Sequence, residues 1–454
     1  MRALFLFFCL PILGLTQTIT KKDQINAKRI TANASTLFND GQSTNAYMLL
    51  KQAVALDSTY ANAFFLLATA EFDLRSYHYA QEHCAKALAL FGANTNEEHL
   101  YLAGQIELSL GNCAQAKNLC AQAKNLIKSE KDYKLLGFQL LEEQSSFALN
   151  ELQKDTLNQR QLLGGVLNTN YDEYGPILSL DGQILYFTTR NPDSKGANLN
   201  PDDQRFFEDI YQAQQDPENN NSWVRNFEHD ELFNTEGFDA LSYLAADQLS
   251  ALGTLNTTAS KEVSTQGSDI FELTAETPGV WDDKRIIKDI PGLNTSYFEG
   301  ASTKTDTIWV DEFTYIEELY FVSDRAAEKY ATDIYVARKI NGVWQADVQA
   351  LPQGINTEGR ETTPFVTPDG KLLFFASDGH LGMGGYDIFY CKRENEGWSA
   401  PMNLGAAINT TLDDTHFQCS GTTLTWASVS ELEELFSYNL FKAPVSILQI
   451  DDLK

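Results

Sequence analysis

The chain has 454 residues, ordinary globular composition (43% hydrophobic, 11% aromatic) and a formal charge of −28 at pH 7. That length holds roughly two to four domains, and the composition argues against wholesale disorder. The acidic balance and the lack of any basic run argue against nucleic acid and anionic membrane surfaces, which both need clustered Lys and Arg.

Met1-Arg2 gives a short positive end, Ala3 to Leu15 an apolar run, and Gly14 and Thr16 small residues before a cut at Gln17. Residues 1–16 are therefore expected to be a secretory signal peptide, too short to span a bilayer as a stable helix. Cys9 has no small residue before it and is not read as a lipidation site. After Gln17 no apolar stretch approaches the ~18 residues a membrane helix needs, so a soluble, exported mature protein is expected. Cys84, Cys113, Cys120, Cys391 and Cys419 remain after the cut. Their odd number, low density and lack of a CxxC pair signal neither a zinc site nor a disulfide scaffold.

From about Lys28 to Asn150 the chain is rich in Ala, Leu, Gln and Glu and has no proline. Ala46, Leu50 and Ala53 superimpose on Ala80, Cys84 and Ala87, then on Ala116, Cys120 and Ala123, at offsets of 34 and 36 residues. Phe64, Leu67 and Ala68 likewise match Leu100, Ala103 and Gly104, while only Ile30 and Ala34 fit an earlier copy. Small residues at those places let antiparallel helices approach closely. The pattern resembles the tetratricopeptide repeat (TPR), and residues 17–155 are assigned to such an α-solenoid. Cys84 and Cys120 then read as packing residues, and a last helix over roughly Lys131 to Gln153 is expected to cap the array.

Residues 160–454 repeat a different phrase. Asp-Ile-aromatic occurs at Asp209-Ile210-Tyr211, Asp269-Ile270-Phe271, Asp333-Ile334-Tyr335 and Asp387-Ile388-Phe389. Trp223, Trp281, Trp344 and Trp398 follow 11 to 14 residues on, and Asn-Thr at Asn234, Asn294, Asn356 and Asn409 another 11 to 13 on. A period of about 55–65 residues marks a radial β array in which no unit buries its own faces. Asp181-Gly182 and Asp369-Gly370 between apolar runs signal tight hairpins, giving four antiparallel strands per unit. The third unit carries an insertion at about Thr305 to Glu317, and a fifth lacks the Asp-Ile-aromatic and tryptophan marks. Asn168-Thr169 precedes the first unit. The segment before it is thus expected to complete the fifth, closing five blades with strands from both ends.

Ser179-Leu180-Asp181-Gly182-Gln183-Ile184-Leu185-Tyr186-Phe187 and Thr367-Pro368-Asp369-Gly370-Lys371-Leu372-Leu373-Phe374-Phe375 resemble the PD40 (WD40-like, TolB-type) propeller repeat. Gly384-Gly385-Tyr386-Asp387-Ile388-Phe389 and Gly397-Trp398 through Gly405 continue the likeness. The fold class expected is thus a two-part α plus all-β chain, a TPR solenoid followed by a PD40 β-propeller. The order signal peptide, TPR, PD40 propeller is similar to exported envelope proteins of Bacteroidetes-type bacteria associated with the type IX secretion machinery. That resemblance implies a periplasmic place, at the inner face of the outer membrane, and envelope proteins as partners. Relatives of that kind usually continue into an OmpA-like domain; none is read in residues 1–454, so peptidoglycan binding is not among the expectations.

The four repeated aspartates are expected to accept backbone N–H bonds between blades, and the four tryptophans to anchor blade packing. Arg190, Arg325 and Asp378 follow equivalent strands and, with His380 in a glycine-rich loop, are the candidate partner-contacting rim. Asp193 to Asp203 with Glu208 and Asp209 group several oxygens without EF-hand spacing, leaving Ca²⁺ as a minor expectation and no other cofactor. One histidine without a second ligand is no zinc site. No Gly-x-Ser-x-Gly, His-Glu-x-x-His or Walker loop occurs. The leading expectation is a non-catalytic, exported interaction scaffold. The alternative is an envelope propeller that binds or hydrolyses a glycan or peptide, for which carboxylates and aromatics must converge in the central pore.

Overall fold

The computed structural model describes residues 19–154, 159–195, 199–200, 205–256, 267–325, 331–394 and 397–453. The expected signal peptide lies outside the described residues.

Six helices pair as three antiparallel hairpins: α1 (Lys21–Asn39) with α2 (Ser43–Leu56), α3 (Ala61–Asp73) with α4 (Tyr77–Phe91), and α5 (Glu97–Ser109) with α6 (Cys113–Leu126). Thr20 and Asp23 start α1 with a reciprocal capping box, and Asn96 caps α5, satisfying backbone donors that a helix start leaves open. Ala46, Ala53, Ala80, Ala87, Ala116 and Ala123 are all fully buried. Their methyls set the inter-helix distance, and Leu50, Cys84 and Cys120 fill the same row. Gly104 completes the pattern, since a Cβ there would lie 2.8 Å from Leu141 Cδ2. The expected single capping helix is two, α7 (Glu130–Leu135) and α8 (Phe138–Glu151). Gly137 breaks it: its φ is +83°, and a side chain there would collide with the Tyr101 ring.

The β part is a ring of five antiparallel sheets. Inner, second and third strands are Glu173–Leu178, Ile184–Thr189 and Asp209–Asp216 in blade 1. They are Phe238–Leu244, Ser250–Asn256 and Asp269–Thr277 in blade 2. They are Glu299–Lys304, Tyr315–Ser323 and Asp333–Ile340 in blade 3. They are Glu361–Val366, Leu372–Ser377 and Asp387–Glu394 in blade 4. Blade 5 has Asp414–Ser420, Thr423–Leu432 and Leu435–Pro444. Inner strands neighbour one another all round, blade 5 against blade 1 included. Blade 5 takes its outer strand from Gln161–Leu162, paired with Lys442 and Phe441. The ring therefore closes with strands from both ends of the domain and leaves no open inner edge. The insertion of blade 3 folds back as Ile308–Trp309 against Ile316 and Tyr315, lengthening that hairpin.

Two repeated side-chain devices hold the blades. In each junction an asparagine amide replaces a missing strand. Asn168, Asn234, Asn294, Asn356 and Asn409 accept the backbone N–H of Leu440, Ile210, Ile270, Ile334 and Ile388 at 2.6 to 2.9 Å. Each returns an N–H to the same residue's carbonyl. The threonine after each asparagine gives its backbone N–H to a carboxylate four residues on. The pairs are Thr169–Glu173, Thr235–Asp239, Thr295–Glu299, Thr357–Glu361 and Thr410–Asp414. Each carboxylate also accepts the hydroxyl of the same threonine, and Asp239 and Glu299 pair with Lys284 and Arg325 as well.

The helical array is docked on blades 4 and 5. Met383, fully buried, reaches into the array's core. Gln144 on α8 donates to the Gly384 carbonyl at 2.8 Å, and Tyr77 meets Phe436 edge-on at 4.9 Å. Gly384 lets this loop lie against the linker between blades 4 and 5, since a Cβ there would sit 2.1 Å from the Thr411 carbonyl oxygen.

Candidate functional site

The ring encloses an axial cavity of about 520 Å³ to which all five inner strands contribute. Each of those strands is bulged: the register slips between Tyr174 and Ile177, Leu241 and Tyr243, Gly300 and Thr303, Thr362 and Phe365, and Thr415 and Gln418. A bulge releases backbone groups from the ladder, and hydroxyls on the neighbouring blade take up several of them. Ser302 N–H donates to Ser242 Oγ at 3.0 Å, His416 N–H to Thr363 Oγ1 at 3.1 Å, and Ala301 N–H to Thr254 Oγ1 at 3.1 Å. At the bulges Gly175, Ala301, Thr363 and His416 have left-handed φ between +46° and +63°.

The helical array contributes one residue to the cavity lining, Arg75. Arg75, in the α3–α4 turn, donates from Nη1 to Asp172 Oδ1 at 2.8 Å and lies over the Tyr438 ring, 4.6 Å from its centroid. Arg205 holds the other oxygen of Asp172 at 2.6 Å. Burial works to raise the Asp172 carboxyl, but Arg75 and Arg205 outweigh it and hold the group below its ordinary value. Asp172 is thus a fixed anion pinned between two guanidiniums. Burial pushes Tyr174 and Tyr438 well above the ordinary phenol range and His416 down to about 4. The imidazole is therefore neutral near pH 7; its Nδ1 pairs with Thr415 Oγ1 at 2.8 Å, and its ring packs 5.1 Å from Tyr174. A general acid or base works best with a pKa near the operating pH, and neither Asp172 nor His416 is set there.

Of the four candidate rim residues, only Arg190 lines this cavity, its Nε donating to the Phe206 carbonyl at 2.7 Å. Arg325 is a structural clamp: it donates to the carbonyls of Gly292 and Leu293 and to Glu299 at 2.8 Å. Asp378 accepts the backbone N–H and guanidinium of Arg360. His380 packs between Phe375 and Phe389 with Nε2 2.9 Å from the Ile355 carbonyl oxygen. The 382–385 loop is not free either, since it carries Met383 into the array.

The tryptophans anchor blade to blade. Trp281 of blade 2 donates to Tyr186 Oη of blade 1 at 3.1 Å, and Trp398 of blade 4 meets Tyr320 of blade 3. The aspartates act differently from expectation: Asp209 accepts the N–H of Lys195, and Asp387 that of Met383, each from its own blade's loop. The asparagines tie each linker between blades to the third strand of the blade before it. Part of the oxygen-rich run Asp193 to Asp203 lies outside the described residues. Among the described residues no group of three or more His, Cys, Asp or Glu is placed to hold a metal, and all five cysteines are free.

Sequence reasoning missed two features. The carboxylate four residues after each Asn-Thr was legible as Asn-Thr-x-x-x-Asp/Glu. Arg75 was legible too: it occupies the turn position that holds Gly41 and Gly111 in the flanking repeats, 34 and 36 residues away.

No family model matches the chain, and no curated protein matches it. Solved structures similar to it include the second TPR of Spaghetti (RPAP3) bound to an HSP90 peptide. That match has 20% identity, covers 23% of this chain and 96% of that one, and has a TM-score of 0.22. The Yersinia enterocolitica type III secretion chaperone SycD, in complex with a peptide of the translocator YopD, matches at 16% identity over 28% and 97%, TM-score 0.25. YrrB, a TPR protein with an unusual peptide-binding site, matches at 18% over 29% and 63%, TM-score 0.25. The chain is a TPR-like helical array followed by a five-bladed propeller.

Proposed function

We propose that this chain is a non-catalytic protein-interaction scaffold, exported to the periplasm and working in an envelope assembly related to type IX secretion. The observation that carries the reading is the junction of Met383, Gln144 and Arg75, which fastens a helical repeat array to a closed propeller. Two interaction platforms held as one body suit the bridging of partners. The apolar run at residues 3–15 and the repeat order support export and an envelope setting. Among the described residues, no helix is long and apolar enough to cross a membrane.

The test is purification of the tagged full chain from its native envelope after in situ cross-linking, beside a hydrolysis screen on glycans and peptides. Defined partners recovered in fixed stoichiometry, with no turnover, support the scaffold. Turnover without any stoichiometric partner contradicts it.

A second reading, a propeller that binds or processes a glycan or peptide, draws on the charged axial cavity. The ionised, doubly paired Asp172 and the neutral His416 favour binding over turnover.

A further inference from the structure

We propose that the axial cavity is a binding site for a small carboxylate carried on an apolar body, completed by Arg75 from the helical array. The site stands independently of the scaffold reading. Its volume of about 520 Å³ falls in the range of small-ligand pockets, which are apolar with a few placed polar groups. Ile177, Leu241, Phe238, Phe298 and Pro364 supply the apolar wall. The same lining carries Arg75, Arg190 and Arg205 with Asp172 and Glu208. Three cations against two carboxylates make this lining cationic within a chain of formal charge −28.

The guanidiniums already display the recognition that a carboxylate needs. Asp172 receives one N–H from Arg75 and one from Arg205, and it lies within the field of Arg190 as well. Arginine presents a planar fork of donors that matches carboxylate geometry.

Strain marks the same place. Eight non-glycine residues among those described have positive φ, and four of them, Arg75, Ala301, Thr363 and His416, line this cavity. Such strain persists where the surroundings over-determine it and gathers at ligand sites. Ala301, Thr363 and His416 follow from the bulges, but Arg75 does not. It replaces a glycine-type turn residue in a left-handed conformation that L-residues disfavour, and it delivers a guanidinium to the cavity.

Calorimetric titration of the full chain with N-acetyl-leucine, its C-terminal amide, and a hexapeptide ending in a leucine carboxylate tests the proposal. N-acetyl-leucine or the hexapeptide is expected to bind, and its amide counterpart to bind weaker by about tenfold or more, the worth of charge-assisted hydrogen bonds to the carboxylate. Binding of N-acetyl-leucine alone assigns the site to a free small molecule; binding of the hexapeptide assigns it to a chain terminus. Arg190→Gln and Arg75→Gln should each lower affinity by a similar factor. Because either change can disturb folding, hydrogen exchange on the unaltered chain gives a second reading, with slower exchange expected at residues 172–177 and 298–303 on adding the binding probe. Silence of both carboxylates at about 10 mM, equal binding of acid and amide, or unchanged exchange at the inner strands overturns the proposal.

Discussion

Asn168 and Leu440 stand 272 residues apart and share two hydrogen bonds, N–H to Oδ1 at 2.6 Å and Nδ2–H to the carbonyl at 3.2 Å. The pair is the fifth copy of a junction repeated at Asn234, Asn294, Asn356 and Asn409, and it joins the last blade to the first. Replacing Asn168 with alanine leaves the Leu440 backbone N–H unpaired, at about 1–3 kcal/mol, while the Leu440 carbonyl keeps the Leu163 N–H at 2.9 Å. Asn168→Ala is expected to lower the denaturation midpoint with an unchanged denaturant slope.

Asp172 ties three parts of the molecule, accepting from Arg75 of the array, Arg205 of blade 1 and the Tyr438 backbone of blade 5. Removing one partner of a buried pair strands the other charges, at about 3–5 kcal/mol. Asp172→Ala is therefore expected to destabilise the chain by about 3 kcal/mol in chemical denaturation. Arg75→Gly should cost less, because glycine relieves the left-handed turn.

Burial pushes Glu173 and Asp209 up to about 7 and Asp414 to about 6. A folded value above the ordinary one means that the native chain holds protons the unfolded chain has released. Their contribution is thus fully present below about pH 4 and is lost as pH rises to about 7. The melting temperature should fall between about pH 5 and pH 7, and Asp209→Asn should flatten part of that slope. A melting temperature that rises across this window contradicts the assignment.

Gly384→Ala places a methyl against the Thr411 carbonyl and so lifts the loop that carries Met383. Faster hydrogen exchange is expected in α8 and residues 382–386, with the inner strands of blades 1 to 3 unaffected.

Much of this architecture was legible because it repeats. The buried alanine rows of α2, α4 and α6 gave the helix pairs, and the Asp-Ile-aromatic, tryptophan and Asn-Thr marks gave the blades. Blade 5 looked degenerate because its mark is Asn439-Leu440-Phe441; Leu440 meets Asn168 just as Ile210 meets Asn234. What stayed hidden was long-range. Nothing local shows that Arg75 reaches Asp172, 97 residues on, or that a glycine-rich loop fills the array's core. The rim candidates depend on contacts of the same kind: Arg190, Arg325 and Asp378 follow equivalent strands and His380 a glycine-rich loop, and the carbonyls, charges and rings they meet lie elsewhere in the chain.

The central claim is that array and propeller move as one body, and a distance between them tests it most directly. Spin labels at Leu135→Cys on the array and Phe313→Cys on blade 3, both highly exposed positions, can be placed in a Cys9→Ser, Cys419→Ser background, since the other cysteines, all among the described residues, are buried. Pulsed electron resonance should give a single narrow distance distribution that broadens when Met383→Ala or Arg75→Ala loosens the junction. A broad or multi-peaked distribution in the otherwise unaltered chain would contradict the account.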